Sequence, residues 1–286
     1  MSRPITAQLV GGLGNQLFTY YAASALAAKW AVPLRIDASR AAHGVSAQVF
    51  GLPGEWLPDF ADEASRSWRH RLAPRLTRRI TRTVPVFAGL FRYYESVNPG
   101  EDPHLLDQVP GTTVRGYFQS WKTVEAAYEY GARRVLSLSS PSEWLVEAQR
   151  RAAAESPIAV HVRRGDYASS AVFGLLSADY YREALQQLRQ EGLRGPIWLF
   201  SDDLDAAADL IHEPFEVMCS PVGAQEELLA MSRTAAFVTA NSSFSWWGAW
   251  LSGSRHVIAP REWFNNSPEP VGLVPPWWTR IPSHWA

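Results

Sequence analysis

Two arginines stand side by side at Arg163 and Arg164, directly after the apolar run Ile158 to Val162 and directly before Gly165, Asp166 and Tyr167. A guanidinium stays charged and presents a planar fork of donors, so such a pair suits a phosphate. An ordinary ion pair, Arg164 with Asp166, would use the same residues. Polar clusters follow other apolar runs as well: Asp202 and Asp203 after Ile197 to Phe200, Ser220 after Phe215 to Cys219, and Asn241, Ser242 and Ser243 after Ala236 to Ala240. Hydroxyls and exposed backbone N–H groups at a helix start hold an anion, although Asn or Ser there also serves as a plain N-cap. Asp203 and Asp205 form a D-x-D, which either shares a divalent cation with a diphosphate or simply marks an acidic helix start.

Near the N-terminus, Gly11, Gly12, Leu13, Gly14, Asn15 and Gln16 separate a strand candidate, Ile5 to Val10, from Leu17, Phe18, Tyr21, Ala22 and Leu26 at helical spacing. Glycines there let backbone approach a ligand or merely make a tight turn. The spacing departs from G-x-G-x-x-G, because Gln16 and Leu17 stand where the last glycine belongs. The Asn15 and Gln16 amides suit hydroxyls or phosphate. Asp37 closes a second strand candidate, Val32 to Ile36, as a general base or as a cap for the next segment. The chain has no G-x-S-x-G, no H-E-x-x-H, no Walker loop and no pair of cysteines.

The elements that must position these residues are clearest after Ala154. Strand candidates at 158–162, 197–200, 215–219, 236–240 and 256–259 alternate with helical segments, the first opened by Ser177 and closed by Gly192. Such alternation implies right-handed β-α-β units and one parallel sheet. The carboxyl ends of its strands then lie together, where ligands bind in open α/β sheets. Trp246, Trp247 and Trp250 follow the Asn241 cluster, and two of them are expected to pack against the sheet. Further back, Val114 to Trp121 reads as a strand-like aromatic run, and 125–154 as helix with breaks near Gly131 and Pro141. Between Arg66 and Arg82 seven arginines occur without an acidic residue, interleaved with Trp68, Leu72, Leu76 and Ile80. This basic amphipathic helix either faces solvent or offers peripheral contact to an anionic membrane or acceptor.

With 286 residues, 47% hydrophobic and 19% charged, the chain can bury one large or two moderate cores. We expect two domains, 1–154 and 155–286. A net charge of -1 gives no global attraction to nucleic acid. Cys219 is the single cysteine, expected as a buried structural thiol, so a reducing compartment is the simplest reading. No signal-like apolar core and no run of eighteen apolar residues occurs, which makes a cytoplasmic protein, peripheral to the inner membrane at most, the expectation.

Taken together, GGLGNQLF, GYFQSW, HVRRGDY, FSDD and NSSFSWWGAWL, with VIAP and WF after them, resemble in order the bacterial α-1,2-fucosyltransferases of glycosyltransferase family 11. The resemblance runs from about Val10 to Trp278. It implies two Rossmann-like halves of glycosyltransferase-B type, the donor nucleotide in the C-terminal half and the acceptor against the N-terminal half. The implied reaction is inverting transfer of L-fucose from GDP-β-L-fucose to the 2-hydroxyl of galactose in a glycan, without an obligatory metal or other cofactor.

Residue by residue, the resemblance makes Arg163 the contact to the β-phosphate, with His161 and Arg164 shaping the same site. Ser242, Ser243 and Phe244 would approach that phosphate beside Asn241, and Asp202 or Asp203 the guanosine. Gly14, Asn15 and Gln16 would face the fucose or diphosphate. Asp166 and Asp37 are the candidate bases, with none forced by the motifs. Many relatives carry an aspartate and then a leucine-methionine pair where this chain has Gln225, Glu226, Glu227, Leu228 and Leu229. Two other readings keep a place: a fucosyltransferase of different linkage or acceptor, and a non-catalytic glycan- or nucleotide-sugar-binding protein.

Overall fold

A computed structural model describes residues 2–41, 47–57, 92–170 and 172–286, so the basic helix expected between Arg66 and Arg82 lies outside the described residues. In the first unit, strands β1 (Ile5–Gly11), β2 (Leu34–Ala41), β3 (Glu55–Trp56), β4 (Tyr93–Glu95) and β5 (Thr113–Arg115) form a parallel sheet in the order β3-β2-β1-β5-β4. Alternate residues of β1, Ile5, Ala7 and Leu9, are fully buried. Helices α1 (Leu13–Lys29) and α2 (Trp121–Glu129) accompany the sheet. Helix α1 is buried along most of its length because alanines and Leu17, Phe18, Tyr21 and Leu26 cover more than one face.

Two expectations shift here. Strand β2 runs on to Ala41, so Asp37 sits inside the strand and not at its end. The aromatic run 114–121 is a strand only to Arg115; Gly116 at φ +155° and Phe118 at φ +46° break it before Ser120 caps α2.

The second unit contains α3 (Glu143–Glu155), β6 (Ile158–Val162), α4 (Ala178–Gln190), β7 (Ile197–Ser201), α5 (Leu204–Ala208), β8 (Phe215–Val217), α6 (Ala224–Met231), β9 (Ala236–Val238), α7 (Ser243–Ser252), β10 (Val257–Pro260) and β11 (Thr279–Ile281). Its six strands are parallel in the order β11-β10-β9-β6-β7-β8. Every residue of β6 is buried, as a central parallel strand requires. Ile158, Val160 and Val162 pack with Tyr180, Tyr181 and Leu185 of α4, each such side chain stabilising the fold by roughly 1.5–3 kcal/mol. Ala159 and His161 point to the opposite face. On that face lies α7, which packs against α6, and its Trp246 and Trp247 are fully buried as expected.

The units divide at 136/137 and not at 154/155: the first takes Met1–Leu136 and Pro270–Leu273, the second Ser137–Glu269 and Val274–Ala286. The reason is α3. Its N-cap, Ser142, donates N–H and Oγ–H to the buried Glu226 carboxylate at 2.8 and 2.6 Å, fixing the helix to the second unit. Cys219 is exposed and not buried, because it lies beyond the short edge strand β8. No helix among the described residues is long and apolar enough to cross a membrane.

Candidate active site

Strands β6 and β9 are neighbours in the second sheet, yet β6 leads through α4 to β7 on one side and β9 through α7 to β10 on the other. Such a reversal opens a crevice at the carboxyl ends of the two strands. Arg163 leaves β6 at this point and Asn241 leaves β9.

Asp202, at the end of β7, organises the arginine turn. Its Oδ1 accepts the Arg164 N–H at 2.9 Å and its Oδ2 pairs with Arg163 Nη1 at 3.0 Å. A side chain at Gly165 would meet Asp202 Oδ2 at 2.3 Å, so glycine is needed for this close approach. Arg163 Nη2 donates to Asp166 Oδ1 at 2.6 Å, while its Nε is buried without a partner among the described residues. The ion pair open to Arg164 in the sequence is therefore made by Arg163. Arg164 reaches the Leu176 carbonyl at 3.4 Å. Asp202 thus braces the arginines. Asp203 caps α5, its Oδ1 accepting the Ala206 N–H at 3.1 Å.

His161 lies beneath, 3% exposed, with its ring 5.5 Å from Phe244. Burial and the nearby Arg163 charge push its pKa from 6.5 down to about 3, so the imidazole is neutral. Its Nδ1 is buried without a partner among the described residues.

The second wall begins at Asn241, whose amide donates to the carbonyls of Phe173 and Trp263 at 2.8 and 3.3 Å. This residue holds loops together from a buried position. Ser242 caps α7, its Oγ accepting the Phe244 N–H at 3.3 Å; Ser243 and Phe244 are half-buried in the first turn. Tyr167, which the sequence reading passed over, joins the two walls. Its OH donates to the Asn241 carbonyl at 3.2 Å, its ring stacks on Phe173 at 4.3 Å, and the Arg163 guanidinium lies 5.4 Å from the ring centre. Its place beside Asp166 in RRGDY was the available signal. Glu227 was also missed: half-buried, it accepts the Ser220 N–H at 3.1 Å, and burial pushes its carboxyl up.

In the first unit, Gln16 is fully buried and spends its amide at home: Nε2 donates to the Gly11 carbonyl and Oε1 accepts the Ala47 N–H, both at 3.0 Å. It shapes the turn from within. Gly14 is buried in the first turn of α1, and Asn15 is half-buried with its Oδ1 accepting from Gln119 Nε2 at 2.8 Å. Asp37 accepts from Gln8 Nε2 and the Ser39 N–H, both at 3.0 Å. The chain therefore gathers His161, Arg163, Arg164, Asp166 and Asp202 around the carboxyl ends of β6 and β7, with Ser242, Ser243 and Phe244 following β9 beside them.

A family model described as Glycosyl transferase family 11 matches residues 119–269, and the chain belongs to that family. It is similar to an alpha-1,2-colitosyltransferase of Escherichia coli, 34% identical over 139 residues, 43% of this chain and 47% of that one. It is also similar to the O-antigen biosynthesis glycosyltransferase WbnK of Escherichia coli, 32% identical over 115 residues, 37% and 38% of the two chains. The matches thus span less than half the length of these curated relatives. Among solved structures, it resembles NodZ alpha-1,6-fucosyltransferase soaked with GDP-fucose, with TM-score 0.54, 14% identity and 91% and 96% of the chains covered. It also resembles a mutant of Arabidopsis thaliana FUT1 in complex with GDP, with TM-score 0.52, 14% identity and coverage of 91% and 70%. With two parallel α/β sheets, the fold is of glycosyltransferase-B type.

Proposed function

We propose that this family 11 glycosyltransferase moves L-fucose from GDP-β-L-fucose to the 2-hydroxyl of a galactose residue in a glycan, with inversion. The observation carrying this reading is the placement of Arg163 and the start of α7 at adjacent strand ends where the sheet order reverses. The guanidinium donates to the β-phosphate as the bond from fucose C1 breaks and the electron pair leaves with GDP. Ser242, Ser243 and the N–H groups opening α7 add donors backed by the helix dipole. The acceptor hydroxyl attacks C1 from the opposite face, in line with the departing oxygen. Its proton passes to water or to a carboxylate of the chain. Stabilisation of the leaving diphosphate supplies most of the acceleration in this scheme.

The α-1,2 linkage has support from the name of the colitosyltransferase relative. That same name favours a second reading, in which the linkage is kept and another deoxysugar nucleotide is the donor. Incubation with GDP-fucose and a panel of galactosides, then NMR of the product, decides between them. A fucosyl-α-1,2-galactose product is expected. Arg163→Ala should cut kcat by about 10²–10³, the cost of losing one donor to developing charge. Unchanged turnover in that variant, or another linkage in the product, would refute the assignment.

A further inference from the structure

Residues 172–177 lead into α4 and touch the candidate site three times. The Leu176 carbonyl accepts Arg164 Nη1 at 3.4 Å, the Phe173 carbonyl accepts the Asn241 amide at 2.8 Å, and the Phe173 ring stacks on Tyr167 at 4.3 Å. The loop is held in this shape by residues 283–286, which follow the last strand, β11.

Leu176 and Trp285 form an antiparallel bridge. Its hydrogen bonds come from the flanking residues: the Ser177 N–H donates to the His284 carbonyl at 2.9 Å, and the Ala286 N–H donates to the Leu175 carbonyl at 2.8 Å. In a pair of this kind the two facing residues bring their side chains close and turn their own N–H and C=O groups away from each other. The Leu176 carbonyl is thereby left for Arg164. Trp285 packs against the core that contains Val162, Leu176 and Tyr180. Its ring also covers Gly174, which has φ +70° and where a side chain would come within 2.8 Å of Trp285 Cε3. Two anchors fix the segment. Ser283 is 1% exposed, and its Oγ accepts the Glu262 N–H at 2.9 Å and donates to the Glu262 carboxylate at 2.7 Å. His284 Nε2 meets Glu183 of α4 at 2.8 Å. His284 itself takes φ +44°, a left-handed value that persists only where the surroundings over-determine it.

We propose that residues 283–286 are a strap that positions Arg164 for the donor, with Trp285 as the positioning residue, acting through the Leu176 carbonyl. The role rests on the transferase reading above, and its test separates the two. Amide hydrogen exchange on the full chain reads the strap without any substrate. In Trp285→Ala, exchange at residues 172–177 should accelerate at least about tenfold, while β6 and β7 keep wild-type protection and so report an intact fold. GDP affinity by calorimetry and the KM for GDP-fucose should both weaken about tenfold, the scale of one charged hydrogen bond losing its alignment. The kcat should stay within about threefold of wild type. Trp285→Phe should recover most of the affinity. Ser283→Ala, which keeps the indole, should give the same pattern at smaller size and replaces Trp285→Ala should that variant lose the protection of β6. A double-mutant cycle then tests the route: in an Arg164→Ala background, Trp285→Ala should cost less than about twofold further in GDP affinity. Unchanged exchange at 172–177, faster exchange with unchanged GDP affinity, or a full further loss in the Arg164→Ala background would each overturn the strap while leaving the transferase reading in place. A wild-type protein that neither binds GDP nor consumes GDP-fucose would overturn that reading, and the role of the strap with it.

Discussion

Arg163 is held between two carboxylates that differ in kind. Asp202 is 25% exposed and also accepts the Arg164 N–H, so it is part of the frame. Asp166 is 66% exposed on the short turn Gly165–Ser169, and a pair so open to solvent contributes no more than about 1 kcal/mol. A diphosphate carries more charge than one carboxylate and can displace it from Nη2. On this view Asp166 competes with the donor and is not the base. Asp166→Asn should therefore lower the KM for GDP-fucose severalfold and keep kcat within a few-fold of wild type. A kcat loss of about 10² or more, the usual size of a general-base contribution, would return Asp166 to the base role.

At the scale of elements, α7 decides whether the second wall of the site exists. Ser242 caps its start, and Gly253 at φ +63° ends it. Gly248 lets the helix lie close to its neighbours, since a side chain there would come within 2.8 Å of Met231 Sδ and 2.9 Å of Phe237 Cζ. Ser242→Ala removes the cap at a cost of about 1 kcal/mol, which lowers Tm by roughly 2–4 °C for a chain of this size. It should also raise the KM for GDP-fucose, since Ser242 follows the strand next to the one that ends at Arg163. Thermal unfolding monitored by circular dichroism, with donor kinetics on the same sample, tests both effects. If neither Tm nor KM moves, Ser242 has no such part.

At the scale of the molecule, what could be read from the chain was whatever local rules determine. Strand-helix alternation after Ala154, the cap at Ser242 and the inward tryptophans of α7 depend on near neighbours, and they stand as expected. Long-range partners were not legible. Nothing near Ser142 reveals that Glu226 fixes α3 to the second unit, and nothing near Asp202 reveals that it braces Arg164 across 38 residues. Likewise Asp37 ended a predicted strand that pairing with β1 prolongs to Ala41. His161 belongs to this class, because only the finished sheet buries it. Its folded pKa, about 3, lies below the ordinary 6.5. Above pH 6.5 both folded and unfolded chains hold it neutral and it costs nothing; as pH falls from 6.5 toward 3, only the unfolded chain binds the proton. Stability is therefore lost across that window at about 1.4 kcal/mol per pH unit. Chemical unfolding of wild type and His161→Leu between pH 7 and pH 4.5 should give curves that converge as pH falls, the wild type descending faster. Parallel curves would mean that the imidazole takes up its proton in the folded protein, against the burial that holds it neutral beneath Arg163.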